Sequence, residues 1–107
     1  MIIKEVPDAF IGTGLENRLR QSAISSLVIV GVSTNNSVEA TARMAGNLGF
    51  HTTVVSDATA TFGRRDYDGV WHTASEVHAL SLANLDGEYA AIVDTETLVS
   101  SHSSSRA

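Results

Sequence analysis

The stretch Gly31-Val32-Ser33-Thr34-Asn35-Asn36-Ser37-Val38-Glu39-Ala40-Thr41-Ala42-Arg43 holds the residue types and spacing that could do chemistry. It leaves an apolar β-type run and enters a helical pattern. Ligands of parallel sheets bind beyond the carboxyl ends of the strands. A helix start also offers backbone N–H groups and the positive end of a dipole. Ser37, in the first turn, would stand as a nucleophile where oxyanion donors are plentiful. Ser, Thr and Asn are also the residues that cap helices, and spacing alone favours that plainer reading.

Other chemistries find less support. The chain has no Cys, which removes disulfides, thiolate zinc sites and thiol nucleophiles. His51, His72, His78 and His102 include no pair at i,i+4, and Gly-x-Ser-x-Gly is absent, so neither a metal site nor a Ser-His triad is legible. His78 falls on the helix stripe Ala74-Val77-His78-Ser81 and reads as a packed, hydrogen-bonded residue. Gly12-Thr13-Gly14 is only a fragment of a dinucleotide loop. No cofactor and no metal are therefore expected. Arg64, Arg65, Asp66 and Asp68 read as a solvated loop rather than a substrate clamp.

The elements that must position Ser37 are an alternation of helices and strands. Continuous β-type runs lie at residues 26–32, 52–56 and 89–93, a pattern suited to strands covered on both faces. Thr13-Gly14-Leu15-Glu16 has the form of a capping box opening a helix to about Gln21. Val38, Ala42, Ala45 and Leu48 recur at helical spacing, with Gly49 as the stop. Thr73-Ala74-Ser75-Glu76 is a second capping box, opening a helix to about Leu85. A short helix is expected over 94–99, followed by a frayed Ser-rich end, and residues 57–71 form one long loop able to act as a lid. The order α-β-α-β-α-β-α predicts an α/β fold with a parallel sheet and right-handed crossovers.

At 107 residues the chain is one domain or less. Seven Lys+Arg against twelve Asp+Glu give a net charge of −5, which argues against a phosphate backbone as partner. No apolar run is long enough to span a membrane, and the first residues lack the pattern of a signal peptide. A soluble, cytoplasmic globular protein is expected.

The segment 31–43 resembles the nucleophile motif of the isochorismatase-like cysteine hydrolases, a family that includes nicotinamidases and N-carbamoylsarcosine amidohydrolase. Their motif reads Gly-Val-x-Thr-Asn-x-Cys-Val-Glu-x-Thr-Ala-Arg; every fixed position matches except the Cys, which is Ser37 here. Residues 4–15 resemble the family's Lys-x-x-x-Ser-Ala-Phe-x-Gly-Thr-x-Leu, with Asp8 in place of Ser. Val54 to Ala60 resemble the strand and loop after the nucleophile helix, and the likeness continues through His78 to Leu98.

This resemblance implies a three-layer αβα fold of which residues 1–107 are the C-terminal portion, contributing strands 4, 5 and 6 of a sheet ordered 3-2-1-4-5-6. It gives Lys4 the place of the Lys in an Asp-Lys-Cys triad and Ser37 the place of the Cys. The peptide joining Val32 to Ser33 matches a cis bond that turns the amide of Ser33 toward the oxyanion. Phe10 matches a pocket-wall aromatic, and Phe10 and Thr34 are the expected substrate contacts. The implied parent reaction is hydrolysis of a C–N bond in a small amide through a thioester. The departures imply an impaired chain. A Ser hydroxyl ionises far less readily than a thiol of pKa about 8.5, and the part of the family domain that supplies the catalytic Asp has no match here. The alternative is a non-catalytic relic that serves as a ligand-binding or interaction module. The first strand would normally pair with a strand from the missing half, so a homo-oligomer or a second chain carrying that half is expected to cover its edge.

Overall fold

The computed structural model describes residues 8–105, so Lys4 lies outside the described residues. The elements run α1 (Leu15–Gln21), β1 (Ser26–Val32), a π-helical turn (Thr34–Val38), α2 (Glu39–Asn47), β2 (His51–Ala60), β3 (Arg64–Arg65), β4 (Trp71–His72), α3 (Ala74–Leu85), β5 (Ala91–Val93) and α4 (Thr95–Ser105). β1, β2 and β5 form the expected parallel sheet, with β2 central.

Register decides which face holds the core. Ile29, Val54 and Ile92 are cross-strand partners on β1, β2 and β5, so they share a face. Val38, Ala42 and Leu85, from the turn, α2 and the end of α3, pack on that face. On the opposite face Val55 is buried, but Val28, Val30 and Val32 of β1 are 54%, 56% and 62% exposed. The unbroken apolar run of β1 pointed to a strand covered on both faces; among the described residues it is covered on one. No described strand pairs with its outer edge either.

Helix ends follow local chemistry where the side chains are available for it. α3 has its capping box: the Thr73 hydroxyl accepts from the Glu76 N–H, and Glu76 reaches back to the Thr73 N–H. At the end of α2, Gly49 adopts φ +90°, the Gly49 N–H donates to the Gly46 carbonyl, and the Phe50 N–H donates to the Ala45 carbonyl. That is the Schellman arrangement. The first expected capping box does not form. The Thr13 hydroxyl donates to the Ala9 carbonyl, Glu16 pairs with Arg20, and Gly14 with φ 70° is the N-cap of α1. Both partners are engaged elsewhere.

Two further expectations are corrected. Residues 57–71 are not one loop: β2 continues to Ala60, and β3 and β4 make an antiparallel hairpin. Asp66 holds its turn by accepting from the N–H groups of Asp68 and Val70, a local bond that competes well against open loop. α4 does not stop near residue 99 but runs to Ser105, starting from the Asp94 carboxylate, which accepts from the Thr97 N–H at 2.6 Å.

Gly46 faces the backbone of Tyr89, where a Cβ would lie 2.6 Å from the carbonyl oxygen and 3.0 Å from Cα. Helix propensity favours Ala over Gly by about 1 kcal/mol, whereas overpacking against atoms that cannot rotate away costs about 1–3 kcal/mol. Gly46→Ala is expected to lower stability by about 1 kcal/mol net. Urea unfolding midpoints test this, and an unchanged or raised midpoint contradicts it.

Candidate functional site

The site begins at the carboxyl end of β1. The Val32–Ser33 peptide is cis, as the family resemblance implied. Ser33 is extended, and its carbonyl accepts from the N–H groups of both Asn36 and Val38 at 3.1 Å. The wide turn that results carries Thr34 to Val38 before α2 takes over at Glu39.

Two side chains of α3 anchor that turn, backed by a carboxylate of α2 and a carbonyl of β2. Thr34 is fully buried. Its hydroxyl lies 2.8 Å from His78 Nδ1, and His78 Nε2 lies 2.9 Å from the Ser56 carbonyl. A carbonyl only accepts, so Nε2 carries the proton. In the neutral ring Nδ1 then accepts from the Thr34 hydroxyl. The Ser81 hydroxyl lies 3.0 Å from the Thr34 carbonyl and 2.6 Å from Glu39 Oε1, and Glu39 pairs with Arg43. Thus α3, β2 and α2 all hold the turn. His78 is the packed, hydrogen-bonded residue its helical stripe predicted. Thr34, expected as a substrate contact, is buried among the described residues, and its hydrogen bonds to His78 and Ser81 position the turn.

The remaining expected site residues separate. Ser37 is half-buried and lines a cavity of about 210 Å³ with Ala9, Ile29, Val30, Val32, Val38 and Thr41, on the side of β1. Ser33 instead opens on a cleft of about 310 Å³, lined also by Asn35, Asn36, Thr61, Phe62, Gly63, Arg64 and Arg65. Phe10 lines neither. It stacks on Phe50 at 5.9 Å between ring centres, while the Arg20 guanidinium sits 4.5 Å from the centre of the Phe50 ring. The Ala9 N–H donates to the Thr41 hydroxyl and ties this segment to α2.

The sequence reading singled out neither Thr61 nor Phe62, placed Gly63 in a loop able to act as a lid, and set Arg64 and Arg65 aside as solvated loop. Their place at the cleft follows from topology. β2 lies beside β1 and runs parallel to it, so the chain leaving β2 must overhang the end of β1. The Thr61 hydroxyl hydrogen-bonds to the Asn35 side-chain oxygen across this junction.

The β3–β4 hairpin is clasped to α3 through His72, whose Nε2 lies 2.7 Å from Asp66 Oδ2 and whose Nδ1 lies 3.4 Å from Glu76 Oε2. These two carboxylates, Asp66 first, hold the imidazole above its ordinary value of 6.5. Asp66 is held below 3.8, chiefly by its hydrogen bond with His72. Glu76 is held below 4.5, first by the Thr73 N–H of the capping box and then by the Thr73 hydroxyl and His72. Among the described residues no three His, Cys, Asp or Glu side chains are grouped as a metal site would need, and no helix is long and apolar enough to cross a membrane.

A parallel α/β sheet whose edge strand passes through a cis peptide into a helical turn defines an α/β domain with a candidate site at the strand ends. Residues 1–97 match the isochorismatase domain model, and the chain belongs to the isochorismatase family. It is 46% identical over 99 residues to the isochorismatase family protein YrdC of Bacillus subtilis, covering 92% of this chain and 53% of that protein. It is 34% identical to Nicotinamidase 3 of Arabidopsis thaliana over 92% of this chain and 44% of that one. Among solved structures, an isochorismatase family protein of Chromobacterium violaceum superposes with a TM-score of 0.91 at 52% identity, covering 92% of this chain and 51% of the other. The chain thus spans about half the length of the relatives it matches.

Because the folded pKa of His72 lies above its ordinary value, its contribution to stability is complete below pH 6.5 and is lost as pH rises through the raised value. The contributions of Asp66 and Glu76 are complete above 3.8 and 4.5 and are lost as pH falls through their lowered values. The clasp is therefore expected to hold best between pH 4.5 and 6.5. An NMR titration of the His72 ring is expected to show its pKa falling in Asp66→Asn. An unchanged value would mean that the contact does not form in solution.

Proposed function

We propose that this chain carries the nucleophile-bearing part of a hydrolase for a small amide, of the cysteine hydrolase type, with Ser37 at the nucleophile position. The observation that carries the reading is the placement of Ser37: half-buried, in a turn that follows a cis peptide, facing a cavity at the carboxyl end of β1. The likeness to nicotinamidases of Arabidopsis thaliana and Staphylococcus aureus supports an amide as substrate. In the parent reaction the nucleophile attacks the amide carbon, the C–N bond breaks, the amine leaves with a proton, and water hydrolyses the acyl intermediate.

As it stands the chain is impaired. A hydroxyl needs a strong base to act as nucleophile, and the described residues lining the Ser37 cavity include no carboxylate, His or Lys. The base therefore comes from beyond those lining residues, and the family resemblance gives Lys4 the role of stabilising cation. Such a base has a route in. β1 has an unpaired edge and an exposed Val28-Val30-Val32 face next to Ser37, and a second polypeptide, either another copy or a chain carrying the other half of the domain, pairs there.

Ser37→Cys is expected to react with iodoacetamide about tenfold faster than a free cysteine at pH 7, and to hydrolyse nicotinamide once a chain with a catalytic carboxylate is supplied. Absence of both labelling and turnover would remove the catalytic reading and leave a binding module. Light scattering on the 107-residue chain is expected to find a dimer or larger assembly. A well-ordered monomer would contradict the covered edge.

A further inference from the structure

We propose that His78 is a positioning residue for the reaction at Ser37, acting through Thr34 to fix the turn that carries the nucleophile position. The inference rests on the hydrolase reading above and adds to it a residue that touches no reacting atom.

His78 lines neither the Ser37 cavity nor the Ser33 cleft. It stands between two irregular stretches of backbone at the end of the sheet. On one side is the turn Thr34–Val38 that follows β1. On the other is a bulge in β2: Ile29 pairs with Val54 and Gly31 with Thr59, so two steps along β1 match five along β2. A bulge takes backbone groups out of the ladder and re-aims them. The Ser56 carbonyl lies in that bulge and accepts from His78 Nε2 at 2.9 Å, while Nδ1 faces the Thr34 hydroxyl at 2.8 Å. One imidazole spans both irregularities.

The protons of this contact have one arrangement. The Ser56 carbonyl has none to give, so Nε2 donates; Nδ1 of the neutral ring accepts, and the Thr34 hydroxyl donates to it. Ser81 is different. Its hydroxyl has one proton and two acceptors, the Thr34 carbonyl at 3.0 Å and Glu39 Oε1 at 2.6 Å. A proton offered to both favours the charged acceptor. The tie from Ser81 to Thr34 is therefore the weaker one, and His78 sets the rotation of the Thr34 side chain. Thr34 is fully buried, so no solvent takes the place of the imidazole. Thr34 stands three residues before Ser37. A small rotation there re-aims the N–H groups of the turn, and such groups must point at a nucleophile to favour its anion. Displacements that begin away from the chemistry still cost rate, because the attack is directional.

The thiol of Ser37→Cys supplies the readout, through the rate of its alkylation by iodoacetamide and the pH dependence of that rate. In this background of the 107-residue chain, His78→Phe keeps a ring and loses both hydrogen bonds. It is expected to slow alkylation about fivefold at pH 7 and to move the pH profile up toward the free-thiol value of about 8.5. His78→Asn, whose Oδ1 takes the place of Nδ1 before the Thr34 hydroxyl, should recover the rate to within about twofold. Thr34→Val removes the same bond from the other side and should match His78→Phe, with the double variant no slower than either single one. Should His78→Phe fail to fold, Thr34→Val and His78→Asn decide the matter. Gly46→Ala, which loosens the fold elsewhere, should leave the pH profile in place. An activated thiol whose rate and profile ignore His78→Phe and Thr34→Val would overturn this role and leave the hydrolase reading standing. An equal loss in Gly46→Ala would overturn it too, as a sign of general loosening. A thiol in Ser37→Cys that reacts no faster than free cysteine would overturn both.

Discussion

The site depends on a buried polar relay running from Thr34 through His78 to the Ser56 carbonyl. Thr34 is fully buried, so its hydroxyl and the facing imidazole nitrogen must satisfy each other. Leaving either unpaired costs about 1–3 kcal/mol, more than the net value of the bond itself. The relay also constrains geometry. It ties the turn after β1 to α3 and to β2 at once, and the Ser81 hydroxyl adds a second tie to the Thr34 carbonyl. A turn held from three sides can present Ser33 and Ser37 in fixed but different directions.

That difference organises the molecule's chemistry. Ser37 faces the side of β1, where apolar valines and an unpaired strand edge stand open, and Ser33 faces the overhang of the β3–β4 hairpin. Among the described lining residues one side has no base, while the other has the exposed Arg64 and Arg65. The hairpin is a positioned element rather than a free loop, because the Asp66–His72–Glu76 clasp fastens it to the start of α3.

The local signals that proved legible share a property: each is satisfied within a few residues. The Thr73–Glu76 capping box and the Gly49 helix stop need no distant partner, and both form as read. The Thr13–Glu16 box has the same pattern and fails, because Ala9 and Arg20 compete for its two side chains. The hairpin was missed because strands of two residues carry no periodicity to detect. β1 was read as covered on both faces because an apolar run records what a strand can bury, not what is present to bury it.

Sequence by itself determined the parallel α/β class, the order of the strands, the helix limits that rest on short-range bonds, and the motif placing Ser37 in the turn after β1. These follow from hydrophobic period, capping chemistry and residue-by-residue resemblance. Only the tertiary structure buried Thr34 and tied it to His78 and Ser81. It likewise separated Ser37 from the cleft of Ser33 and brought Arg64 to that cleft. Those outcomes depend on which atoms meet across 20 to 50 residues of chain, and pairwise meetings at that separation are set by packing and register, which no local pattern encodes.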